Sequence, residues 1–313
     1  MPQPLVIAHR GASGYLPEHT LAAKGLAHEM GADFLEQDVV ASRDGELIVL
    51  HDIFLDRVTD VATRFPGRAR DDGRFYVRDF DLQELASLRV WERMNDDGSP
   101  VYPERYPARS GDFCISTLRD ELEFIRRLNE ETGRVAGIYP EIKRPAWHRA
   151  EGIDIAPQLL KLLAEYGYNS SDSAVYVQCF DDAEIRRLRN ELDCPFKLVQ
   201  LIGENSWGEA ESDFDWLQSA EGIKQIAESA DAIGPHLLQL YELDAVDGRP
   251  VPTGLARSAH EAGLSVHPYT FRVDDLPPGF TQFDDLVSYF VVDIGVDGLF
   301  TDFPDRVLQL GSP

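Results

Sequence analysis

Cysteine is almost absent: Cys114, Cys179 and Cys194 are the only three in 313 residues, and none stands in a C-x-x-C spacing. That excludes a disulfide framework and leaves buried thiols as the expected state. Lysine is nearly as scarce. Only Lys24, Lys143, Lys161, Lys197 and Lys224 occur, so 25 of the 30 basic residues are arginine. No apolar run approaches the roughly 18 residues of a membrane span. The start, Met1-Pro2-Gln3-Pro4, enters an apolar segment at once, without the charged and apolar regions of a secretory leader. The expected compartment is therefore the cytoplasm if Met1 is the native start, and another one only if a leader has been trimmed. There is no G-x-G-x-x-G after a strand pattern, no internal repeat and no low-complexity tract.

What is abundant is negative charge. With 55 acidic against 30 basic residues the formal net charge is −25, and such a surface repels nucleic-acid backbones. A small anionic substrate would need a bound cation or a basic cluster to enter that field. Nucleic acid is excluded as a partner, and stable membrane insertion is not expected; the oligomeric state stays open.

Apolar, β-rich runs alternate with helical patterns along the chain. Strands are expected at Leu5–His9, Phe34–Val40, Val135–Ile142, Ala174–Gln178, Phe196–Leu201, Ala232–Gly234, Leu264–His267 and Gly298–Thr301. Helices are expected at Thr20–Met30, Leu118–Leu128, Ile155–Tyr166, Asp181–Leu192, Glu221–Ser229, Thr253–Ala262, Phe283–Asp293 and Pro304–Leu310. Eight strands in strict alternation with helices predict an α/β fold, a (β/α)8 TIM barrel. An open doubly wound sheet would alternate in the same way. Residues 53–113 break the rhythm, being rich in Asp, Arg, Gly, Pro and Tyr without long apolar periodicity. Removing those 61 residues from 313 leaves 252, close to the roughly 250 of a plain barrel. The expected organisation is a catalytic barrel of residues 1–52 and 114–313, with 53–113 a small inserted subdomain near the active-site mouth.

In Phe34-Leu35-Glu36-Gln37-Asp38-Val39-Val40, two carboxylates stand two apart in an otherwise apolar strand. Alternation puts them on one face, about 7 Å apart. If that face is a barrel interior, a cation or a donor network must compensate them; surface acids on an edge strand are the bland alternative. The dipeptide Asp44-Gly45 signals a hairpin. As a two-residue turn it would pair Arg43 with Glu46, Val40 with Val49 and Asp38 with His51, bringing that histidine within about 5 Å of the pair. Alternation also sends His9 inward at the end of the first strand, and Glu141 with Lys143 share one face at the end of another. Glu36, Asp38 and Glu141 would then form an oxygen-only site for a calcium- or magnesium-type ion, flanked by His9 and His51.

The blocks HRGASGYLPEHT (9–20), LEQDVVASRDGELIVLHD (35–52), YPEIK (139–143), VQCFD (177–181) and VDGLFTDFPD (296–305) resemble the glycerophosphodiester phosphodiesterase family, essentially end to end. The stretch LDRVTDVATRFPGRARDDGR is similar to the inserted region of that family's long bacterial branch, typically periplasmic and calcium-dependent. The resemblance implies hydrolysis of glycerophosphodiesters to sn-glycerol 3-phosphate and an alcohol through a cyclic phosphate. It implies one divalent cation, Ca2+ ahead of Mg2+, held by Glu36, Asp38 and Glu141. His9 and His51 would be the general acid and base, and Arg10 and Lys143 would hold the phosphoryl oxygens. It also implies a periplasmic location if a leader was trimmed.

Glu18, Gln178, Phe180, Tyr269 and Phe300 are candidate substrate-pocket residues, although aromatic residues at strand ends equally serve as barrel packing. His19 stands where many shorter members carry asparagine; helix-start chemistry is its expected role. Three other readings are weighed: a phospholipase D-like barrel acting on intact lipids, a glycosidase using paired carboxylates, and a non-enzymatic binding protein. The first needs an apolar or basic membrane face that the sequence lacks. The second leaves the histidines and Lys143 unexplained. The third should show a broken site.

Overall fold

Eight apolar segments pair in parallel in the computed structural model, which describes residues 3–310. They are β1 (Leu5–Ala8), β2 (Phe34–Ala41), β3 (Gly137–Ile142), β4 (Tyr176–Cys179), β5 (Lys197–Ile202), β6 (Ala232–Pro235), β7 (Ser265–Val266) and β8 (Gly298–Thr301). The order around the sheet is β7-β6-β5-β4-β3-β2-β1-β8. The two ends meet: Asp297 N donates to Val266 O at 3.0 Å and Phe271 N donates to Phe300 O at 2.8 Å. The fold is a (β/α)8 barrel, because every strand is followed by a helix that covers its outer face. These are α1 (Leu21–Met30), α2 (Leu118–Thr132), α3 (Ile155–Glu165), α4 (Asp182–Asn190), α5 (Ala220–Ile226), α6 (Leu255–Glu261), α7 (Phe283–Tyr289) and α8 (Pro304–Leu310).

Local sequence explains the helix limits. In α2 the Thr117 hydroxyl accepts from Asp120 N at 3.0 Å while Asp120 accepts from Thr117 N at 2.9 Å, a reciprocal cap. Gly133 ends the helix at φ 70°. The buried stripe Leu118, Leu122, Ile125 has helical spacing; each such side chain contributes about 1.5–3 kcal/mol by leaving water. Among the described residues no helix is long and apolar enough to cross a membrane.

Strand alternation divides the barrel. Val6, Ala8, Leu35 and Val39 face outward into the main apolar core under the helices. Ile7, Tyr139, Tyr176, Val199, Ala232 and Phe300 fill the interior, and His267 Nδ1 lies 2.8 Å from the Tyr139 hydroxyl there. This interior plug is the floor of the site.

The hairpin after β2 differs by one residue from the expected register. Val39 pairs with Val49 and Val40 with Ile48. The turn holds three residues, not two: Ser42 N donates to Glu46 O at 3.0 Å, and Gly45 takes φ 90°, a conformation an L side chain resists. Asp38 O therefore accepts from Leu50 N at 3.0 Å. His51 is not a cross-strand partner of Asp38; it enters the cavity from the bend beyond the return arm.

Residues 53–113 contain only short elements, among them helices Val61–Arg64 and Leu82–Ala86 and a two-residue ladder between Arg89–Val90 and Phe113–Cys114. They nonetheless own a core: Leu55, Val58, Val61, Phe75, Val77, Phe80, Leu85 and Leu88 pack on Val40, Ile48 and Leu50 of the hairpin. Elements this short carry no periodicity to read in sequence.

Candidate active site

The C-terminal ends of β1–β4 converge on a cavity of about 230 Å³, lined by His9, Arg10, Glu36, Asp38, His51, Glu141 and Gln178 together with Phe180, Trp207, His236, Tyr269, Arg272 and Phe300. Parallel pairing sets Glu36 beside Tyr139 and Asp38 beside Glu141, and Glu141 beside Gln178. Tyr139 points inward, so Glu141, two residues on, must as well. The result is three buried carboxylates whose nearest oxygens all lie within 4.8 Å of one another.

Some donors reach this triad. Arg10 N donates to Glu36 Oε2 at 2.7 Å, Gln178 Nε2 donates to Glu36 Oε1 at 3.1 Å, and Lys143 Nζ lies 2.8 Å from Glu141 Oε1. They do not satisfy it, because Asp38 Oδ1 has no hydrogen-bond partner. Burial and the neighbouring Asp38 charge push Glu36 up to about 8. The same two causes, against Lys143, push Glu141 well above the usual carboxylate range. Asp38, despite its burial, is held well below it by Lys143, His51 and His19. An all-oxygen cluster in which burial and mutual repulsion push two of the three carboxyls up is short of positive charge, and it fits a hard divalent cation.

Two imidazoles border the cavity in matching fashion. His9 Nδ1 lies 2.6 Å from Asp302 Oδ1, and His51 Nδ1 lies 2.6 Å from Asp52 Oδ1. Both aspartates are held well below their ordinary range: Asp302 by Arg272 and His9, Asp52 by Arg93 and His51, in each case against burial. An ionised carboxylate only accepts, so Nδ1 carries the proton and Nε2 is left as a lone pair. Burial, with Arg10 nearby, lowers His9 to about 4 and His51 to about 3. Each ring is thus held toward its neutral form, with its tautomer set by the aspartate.

Behind both pairs stand arginines. Arg93 binds Asp52 at 2.6 Å and grips Glu18 at 2.9 and 2.6 Å. Arg105 binds Asp302 at 2.8 Å and Asp274 at 2.7 and 2.9 Å, and Arg272 Nε adds a 2.7 Å bond to Asp302.

The other sequence-derived residues fall as follows. Gln178, Phe180, Tyr269 and Phe300 line the cavity with the triad; Phe300 also belongs to the interior plug and meets His9 edge-on at 6.5 Å. Glu18 lines an adjoining cavity instead, its oxygens taken by Arg93 and by Arg10 at 2.9 Å. Arg10 reaches the cavity; Lys143 is buried behind Glu141 and is not among the lining side chains. His19 does not cap α1, since Thr20 Oγ1 accepts from Ala23 N at 3.1 Å. Its Nε2 lies 2.6 Å from Asp38 Oδ2 instead, from a backbone at φ 60°.

Sequence reading missed Asp52, Asp302, Arg93, Arg105, Arg272, Trp207 and His236. Asp52 and Asp302 sat inside the quoted blocks, next to His51 and at the end of β8, where a histidine's orienting carboxylate could have been sought. The arginines of 53–113 gave no such signal.

Residues 9–306 match the sequence profile of the Glycerophosphoryl diester phosphodiesterase family. The chain belongs to that family. It is 42% identical to a glycerophosphodiester phosphodiesterase of Haemophilus influenzae, over 97% of this chain and 89% of that one. It is 38% identical to one of Treponema pallidum, over 99% and 92%. The fold also matches an Oleispira antarctica phosphodiesterase solved in complex with the product sn-glycerol-3-phosphate, with TM-score 0.66, 19% identity and coverage of 98% and 96%. As a glycerophosphoryl diester phosphodiesterase family member the chain is a hydrolase on a TIM barrel, and its acidic triad is able to bind a metal ion.

Proposed function

We propose that the protein hydrolyses glycerophosphodiesters to sn-glycerol 3-phosphate and an alcohol with the help of one divalent cation. The observation that carries this is the grouping of Glu36, Asp38 and Glu141 in one cavity with two imidazoles, each fixed through Nδ1 by its own aspartate. The three carboxylates would hold the ion, Ca2+ in preference to Mg2+ because all three donors are carboxylate oxygens and calcium accepts irregular oxygen coordination. Bound there, it would neutralise the triad and polarise the phosphoryl oxygens.

The chain's own residues do the rest. Arg10 and Arg272 face the cavity and bind the non-bridging phosphate oxygens, with Lys143 contributing charge from behind Glu141. One imidazole takes the proton of the glycerol 2-hydroxyl on Nε2 as that oxygen attacks phosphorus. The other, drawn toward its protonated form by the bound anion and by its aspartate, gives a proton to the departing alcohol oxygen. Water then opens the cyclic phosphate with the two histidines exchanging roles. Phe180 and Tyr269 form the apolar side of the glycerol pocket. Residues 53–113 form an inserted subdomain on the barrel 1–52 and 114–313, and through Arg93 and Arg105 it props both histidine–aspartate pairs.

A screen of glycerophosphocholine, glycerophosphoethanolamine and bis(p-nitrophenyl) phosphate, with and without added metal, tests this reading. Metal-dependent release of glycerol 3-phosphate from the first two is expected; no release from either overturns it.

A further inference from the structure

Beside the catalytic cavity lies a second one of about 180 Å³, which shares His9, Arg10, His51 and Arg272 with the first and lacks the carboxylate triad. Its remaining wall comes largely from residues 53–113: Glu92, Arg93, Val101, Tyr102 and Arg105. A phosphate at the shared residues, with its glycerol against the triad, would direct its other ester oxygen toward this second space. The side chains there decide what that ester can carry.

Four guanidinium groups line the cavity, and each is already committed. Arg10 pairs with Glu18 at 2.9 Å; Arg93 pairs with Glu18 and Asp52, both at 2.6 Å; Arg105 pairs with Asp274 at 2.7 Å and Asp302 at 2.8 Å; Arg272 pairs with Asp302 at 2.7 Å. Glu92 is different. It is only 4% exposed, none of these arginines forms an ion pair with it, and its Oε2 has no hydrogen-bond partner. An anionic group entering here would meet guanidinium groups whose charge carboxylates already offset. A cationic one would complete a valence that the protein leaves open, since a buried carboxylate without a counter-charge is costly. The local field has the same sign: burial and the charges of Glu18 and Asp302 push Glu92 up to about 7, against Arg105.

We propose that this cavity is the leaving-group subsite and that Glu92 selects alcohols carrying an ammonium group. The inference rests on the phosphodiesterase reading above and assigns its preferred head-group class. A primary or quaternary ammonium on the alcohol would supply the counter-charge that Glu92 lacks, whereas a neutral polyol would offer Oε2 a hydroxyl but no charge.

The test compares kcat/KM for glycerophosphoethanolamine and for glycerophosphoglycerol in the metal-loaded protein and its Glu92→Gln variant. The ratio of the two is expected to fall by about tenfold or more in Glu92→Gln, the scale of one charged hydrogen bond. A variant that loses both activities together, leaving the ratio unchanged, overturns the proposal, as does one that changes neither. Should Glu92→Gln not fold, the unaltered protein decides: ethanolamine should inhibit competitively and ethylene glycol at the same concentration should not, and equal inhibition by both, or none by ethanolamine, overturns it. If the unaltered protein turns over neither diester with metal present, it is the phosphodiesterase reading that has failed.

Discussion

Arg93 Nη1 lies 2.6 Å from Asp52 Oδ2, which ties the segment 53–113 to the carboxylate that orients His51. The Arg93 side chain is only 12% exposed and also bridges Glu18, so its removal would leave Asp52 without its arginine and Glu18 with Arg10 alone. Arg93→Met is expected to lower stability by about 3 kcal/mol or more. It should also lower kcat by about tenfold or more, the usual cost of losing a partner that orients a working histidine. Urea denaturation and steady-state kinetics on the same preparation check both; a variant of unaltered kcat would separate the insertion from catalysis.

The proposed role of His51 is proton transfer, and the residue lies outside the carboxylate triad Glu36, Asp38 and Glu141. His51→Ala should therefore reduce turnover by about 10²–10⁴-fold while calcium affinity stays within a few-fold. Turnover that survives within a few-fold would remove His51 from the acid/base pair.

Glu141 is one of three carboxylates whose oxygens cluster within 4.8 Å. Glu141→Gln keeps the shape and removes one charge, so it should weaken calcium binding by about tenfold or more. Calorimetric titration reads this directly, and an unchanged isotherm would strike Glu141 from the ligand set.

Acid should destabilise the protein well before its carboxylates titrate in bulk. Burial lowers His9, His19, His148, His236 and His267 to about 4 and His51 to about 3. The unfolded chain binds these protons near its ordinary histidine value of about 6.5. Between about 6.5 and 4 the unfolded state thus carries more protons, and stability falls as pH falls through that window. Glu36 and Glu92, raised to about 8 and about 7, and Glu121 and Glu141, raised chiefly by burial, act oppositely: their folded forms keep a proton, so their contribution is present below about 4.5 and is lost as pH rises through the folded values. Six histidines outweigh these four glutamates. In EDTA the urea midpoint should drop from pH 7 to pH 5; a midpoint that rises would show that these rings are not held neutral.

Much of this architecture was legible because strand alternation is a strong signal. All eight strands and eight principal helices lie where periodicity puts them, and the inward direction of Glu36, Asp38 and Glu141 follows from spacing alone. The hairpin register was misread because Asp-Gly suits a two-residue turn and also the last two positions of a three-residue one; Ser42, which closes the longer turn, carries no periodic mark. His51 still reaches the cavity, by a bend that no cross-strand rule describes. His19 was misread because a histidine before a helix invites a capping role, whereas its left-handed backbone turns the ring onto Asp38. The buttresses Arg93 and Arg105 were invisible, since they come from a segment whose elements are too short to show a face, and what they bind lies more than 40 residues away in one case and nearly 200 in the other.

The most direct test is a titration of EDTA-stripped protein with Ca2+ while glycerol 3-phosphate release from glycerophosphocholine is followed. Activity should be lost on stripping and return linearly to a break at one equivalent of ion, as a single site built from Glu36, Asp38 and Glu141 requires. Hydrolysis that persists in excess chelator, or that returns only with several ions bound, would contradict it.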